Sequence, residues 1–75
     1  MAGQSINADI MDYMVWVVEL AAGEFWSGDK TLAYNTLKNH GVWDLYVQNY
    51  DVTHSLGASY VVDEIREILL AKGAL

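Results

Sequence analysis

The 75-residue chain contains no cysteine and no proline, and only four basic side chains. Without cysteine there can be no disulfide, no thiolate metal site and no cysteine nucleophile, and the composition suits a reducing cytoplasm. Without proline, low-complexity tracts or repeats, nothing reads as a linker between domains. Lys30, Lys38, Arg66 and Lys72 are too few and too scattered to form a basic stripe, which argues against DNA or RNA binding and against adhesion to an anionic membrane. Long apolar runs are also missing. The longest, Met14 to Val18, stops at Glu19, far short of the ~20 residues that span a bilayer. Met1 to Asn7 lacks the basic residues that open a signal peptide. The expectation is a single cytoplasmic domain over residues 1–75, with residues 1–5 a disordered tail, and with no membrane or nucleic-acid partner.

Apolar material is plentiful. Hydrophobic residues make up 53% of the chain and charged residues 19%, against about 25% charged in an ordinary domain. There are three Trp and five Tyr. A domain this small buries only about 60% of the surface its unfolded chain exposes, so part of this apolar surface is expected to face a partner or a second copy. A homodimer is the expected state. The net charge of −6 would suit a basic protein partner.

Helical periodicity runs through most of the chain. From Ile6 to Phe25, the residues Ile6, Ile10, Tyr13, Met14, Val17, Val18, Ala21 and Phe25 are expected to share one face, with Asp9, Asp12 and Glu19 opposite. Asn7 is the expected N-cap. A second helix, capped by Ser27 or Asp29, reaches His40 with Leu32, Ala33, Leu37 and His40 inward, and Gly41 closes it. A third spans Val42 to Asn49. Tyr50 to Gly57 reads as a structured loop, rich in side chains that bond their own backbone. The last helix runs from Ser59 to Lys72 on a stripe of Val61, Val62, Ile65, Ile68 and Leu69. The fold class is all-α, a compact bundle of about four short helices.

Few groups come together for chemistry. Asp51 could orient His54 as a general base with Ser55 beside it, but sequence neighbours rarely point at one another and no glycine-framed elbow surrounds this Ser. The two imidazoles, His40 and His54, have no metal-ligand spacing, and no glycine-rich loop could cradle phosphate. No enzyme activity, metal or cofactor is expected. Trp16 stands out because it lies among Asp9, Asp12 and Glu19 on the polar side of the first helix. Indole is over-represented at binding hot spots. Trp16, Asp12 and Glu19 are therefore the interaction candidates, while Tyr46, Tyr50 and Tyr60 are expected to be core or rim.

Gly28-Asp29-Lys30, His40-Gly41-Val42, Tyr50-Asp51-Val52-Thr53-His54-Ser55-Leu56-Gly57 and Val61-Val62-Asp63-Glu64-Ile65 together resemble a small bacterial family known as a domain of unknown function. Its central motif is similar to Tyr-Asp-Val-Leu-His-Thr-x-Gly, followed by an apolar pair and Asp-Ile. Thr53 stands where the family usually has Leu, and Glu64-Ile65 where it more often has Asp-Ile. The resemblance implies a small stand-alone protein encoded near genes resembling ADP-ribosyltransferases, hence an accessory or antitoxin-like partner. It assigns no role to Tyr50, Asp51, His54, Ser55 or Gly57, which read as a structural loop. The first expectation is thus a protein-interaction module. A helix-turn-helix regulator hinged at Gly41, or a small enzyme built on Asp51 and His54, are the alternatives.

Overall fold

The computed structural model describes residues 7–75, so the expected tail at 1–5 and the helix start at Ile6 lie outside the described residues. The first helix, α1 (Ala8–Phe25), starts where the Asn7 side chain accepts a hydrogen bond from the Ile10 N–H at 2.9 Å. This satisfies one of the amides that the first turn leaves without a partner. The helix ends in a tight reversal in which the Gly28 N–H donates to the Ala22 carbonyl at 2.8 Å. Both Ser27 (φ 54°) and Gly28 (φ 89°) are left-handed there. Asp29, not Ser27, caps α2 (Lys30–Asn39), its carboxylate accepting from the Leu32 N–H at 3.0 Å.

Gly41, at φ 77°, turns the chain from α2 into α3 (Val42–Gln48). An L side chain rarely adopts this conformation. The expected loop after α3 is in fact another helical turn, α4 (Tyr50–Thr53), so the bundle has five helices among the described residues. The polar side chains suggested a loop because they can bond local backbone. They do, but in helical register: Thr53 donates from both its N–H (2.8 Å) and its hydroxyl (3.0 Å) to the Asn49 carbonyl, four residues back. The last helix, α5 (Ala58–Ala71), starts at Gly57 and stops before the left-handed Gly73. Tyr60-Val61-Val62 lies inside it, and no strand occurs among the described residues.

Helix α1 is the spine, packing against α2, α3 and α5. Met14, Val17 and Ala21 from α1 meet Leu37 from α2, Val42, Tyr46 and Val47 from α3, and Val61, Ile65 and Leu69 from α5. These are the stripes expected from helical spacing. Trp43 joins the core, its ring edge-on to Tyr34 at 5.0 Å. Leu32 departs from expectation and is exposed. Ala33 and Leu37, one turn apart, occupy the inner face of α2, and Leu32 sits about 100° behind Ala33 on the helix. No helix among the described residues is long and apolar enough to cross a membrane.

Candidate functional site

Large apolar side chains remain exposed after the core is filled, and α1 carries three of them: Met11, Val15 and Trp16. Trp16 faces outward, 37% exposed, as its place among carboxylates predicts. Its ring tilts against Tyr13 at 5.6 Å, Tyr13 meets Tyr50 edge-on at 5.5 Å, and Tyr50 stacks on His54 at 4.4 Å. The fold thus joins the interaction candidate of α1 to the motif residues of α4 in one aromatic ladder. The Tyr13 hydroxyl donates to the Thr53 carbonyl at 3.1 Å and ties the ladder across forty residues of sequence. Burial raises the Tyr13 pKa above the ordinary phenol value, outweighing that bond, and the nearby Glu64 charge pushes the same way.

Within the motif the side chains of Thr53, His54 and Ser55 bond backbone. His54 Nδ1 lies 2.6 Å from the Tyr50 carbonyl, and a carbonyl only accepts, so the proton of this bond sits on Nδ1. The Ser55 hydroxyl donates to the Val52 carbonyl at 2.9 Å. Asp51 is exposed and bonds neither of them. The Asp51–His54–Ser55 relay considered from the sequence is therefore not assembled in this arrangement. Gly57 is the extended residue that opens α5. Among the described residues, no three His, Asp or Glu side chains gather in a way that could hold a metal ion.

A groove of about 450 Å³ runs between α1 and α2, with Val15, Val18, Tyr34 and Trp43 along it. Its charged rim is balanced: Lys30 pairs with Glu19 at 3.2 Å. Glu19, a candidate from the polar side of α1, thus borders the groove, whereas Trp16 belongs to the ladder. Asp12 is exposed. At the α2–α3 junction Lys38 pairs with Asp44 at 3.1 Å, and α3 itself has no Lys or Arg.

The tyrosines flanking the motif separate by depth. Tyr46 is fully buried, Tyr50 half-buried, and Tyr60 is 53% exposed. The Tyr46 hydroxyl donates to Glu64. Burial, and then the bond to Glu64 and its charge, raise the Tyr46 pKa far above the ordinary phenol value. Sequence reasoning missed both Val15 and Glu64. For Glu64 a signal existed: it lies three residues after Val61 and four before Ile68, at the edge of the buried stripe of α5. For Val15 the signal was its omission from the inward face, since helical spacing sets it apart from Met14, Val17 and Val18.

A family described as "Protein of unknown function (DUF3791)" matches residues 12–72, which include the whole Tyr50–Gly57 motif. No curated protein and no solved structure matches the chain.

Proposed function

We propose, for a chain that belongs to the DUF3791 family, the function of a protein-interaction module that works as a homodimer rather than as an enzyme. The observation that carries this reading is the outer side of α1, where Met11, Val15 and Trp16 are 41, 48 and 37% exposed and Val15 lines the apolar groove. Each chain carries a net charge of −6, so two copies repel except where their contact is locally neutral. The groove meets that condition because Lys30 neutralises Glu19 on its rim. Val15, Val18 and the rings of Tyr34 and Trp43 supply apolar area for the α1 helix of a second copy. A stable contact buries about 800 Å² on each partner, under a fifth of the 4499 Å² surface.

In this reading the module is an accessory or antitoxin-like partner of a neighbouring gene's product, a role that suits its size and charge. Light scattering of the purified chain tests the dimer directly. Twice the 8.4 kDa chain mass is expected, with Val15→Glu shifting it to a monomer and Trp16→Ala weakening it, both with helicity intact. A monomeric mass throughout the micromolar range would sink the proposal.

A further inference from the structure

A second pocket, of about 220 Å³, opens between α3, α4 and α5 on a different face from the groove. Leu45, Val52, Leu56, Tyr46, Tyr60 and Glu64 line it together with two polar residues, Asn49 and Thr53. At the mouth, Leu45, Val52 and Tyr60 are 41, 66 and 53% exposed. The space is smaller than the roughly 300–1,000 Å³ of sites that enclose drug-sized ligands, and of a size for one long side chain.

The electrostatics decide which side chain. Glu64 is half-buried and takes one hydrogen bond, from Tyr46, on Oε1. Burial and that bond keep Tyr46 protonated well beyond neutral pH, so it remains a donor. Among the described residues no Lys or Arg pairs with Glu64: Lys30 is bound to Glu19, Lys38 to Asp44, and Arg66 to Glu24 and Asp63. Lys72 borders another pocket, beside His40 and Ile68. Tyr60, Asp63, Glu64 and Glu67 line an adjoining pocket of about 310 Å³, and with Asp63 paired to Arg66 the Glu64 and Glu67 charges leave the field there negative. A partly desolvated carboxylate between apolar walls and a tyrosine ring complements a guanidinium. Such a group stacks on aromatics, is weakly hydrated and brings an aliphatic stem that can follow the leucines.

The geometry points to this pocket as the socket for an arginine side chain of a partner protein, with Glu64 as its counter-ion and Tyr60 as its stacking surface. The inference rests on the chain being an interaction module but on neither the groove nor the dimer. A monomeric mass therefore leaves it standing, and a failed socket leaves the dimer standing.

The test is amide NMR titration of the whole chain with N-acetyl-arginine methylamide, with the neutral isostere N-acetyl-citrulline methylamide as control. Saturable shifts at Val52, Leu56 and Tyr60 are expected with the arginine compound alone. Glu64→Gln keeps an acceptor for Tyr46 and should weaken the response about fivefold or more, as should Tyr60→Ala. Equal shifts from the citrulline compound, absence of shifts from either, or a Glu64→Gln chain that titrates like the parent would overturn the assignment. Circular dichroism of both variants confirms that they are folded.

Discussion

Replacing Tyr46 by Phe removes one oxygen from the most enclosed large side chain of the bundle, and its consequence depends on pH. At neutral pH the variant loses a hydrogen bond to a charged acceptor. Such bonds contribute about 1.5–3 kcal/mol, but Glu64 is half-exposed and recovers water, so a loss of ~1 kcal/mol is expected. At high pH that advantage is eroded. The folded-state pKa of Tyr46 is raised by burial and by Glu64, whereas in the unfolded chain the phenol ionises near 10. The folded state thus holds a proton that the unfolded state releases. This contribution to stability is fully present below the unfolded pKa and is lost as pH climbs beyond it. The loss is on the order of 1 kcal/mol by pH 11, from 1.36 kcal/mol per unit. Tyr46→Phe has no such proton to lose. Urea denaturation from pH 8 to 11 should therefore show the parent's advantage over the variant shrinking above pH 10 and disappearing near pH 11. Tyr13 contributes in the same direction in both chains, so the difference between them reports chiefly on Tyr46. Parallel pH profiles for parent and variant would refute the reasoning.

Further outcomes concern the helix ends and the glycines. A Cβ added at Gly23 or at Gly41 meets no atom within 4 Å, so only backbone conformation separates the two sites. Gly23 lies inside α1, and Gly23→Ala should stabilise by about 0.5–1 kcal/mol. Gly41 is at φ 77°, and Gly41→Ala should cost about 1–2 kcal/mol; thermal denaturation that ranks the pair the other way would contradict both assignments. Asp29→Ala removes the cap of α2. It should cost about 1 kcal/mol, read as a melting temperature lower by about 4–8 °C.

Much of the bundle follows from local rules. The stripes Met14-Val17-Ala21 and Val61-Ile65-Leu69 are buried because residues three and four apart share a helix face. Asn7 and Asp29 cap because a short side-chain oxygen reaches the free amides of the first turn. Gly41 turns the chain because a residue without Cβ pays little for a positive φ. Trp16, set among carboxylates by the same periodicity, was legible as an outward-facing ring for the same reason. The motif after Asn49 was harder, because the bonding capacity of Thr53 and Ser55 serves a loop or a helical turn equally well.

The candidate site was less legible still. That Tyr13 would touch Tyr50, or that Tyr46 would reach Glu64 eighteen residues on, depends on how α1, α3 and α5 cross, and crossing geometry is set by packing all the stripes at once. The same packing leaves Val15 beside a groove while Val17, two residues on, is fully buried. Sequence alone determined the all-α class, the Asn7 cap and the Gly41 turn, and the acidic, cysteine-free character, since each is a property of neighbours along the chain. The tertiary structure alone decided which rings form the ladder, where the groove opens and that Glu64 meets the Tyr46 hydroxyl, because those contacts join residues that only the packed helices bring within reach.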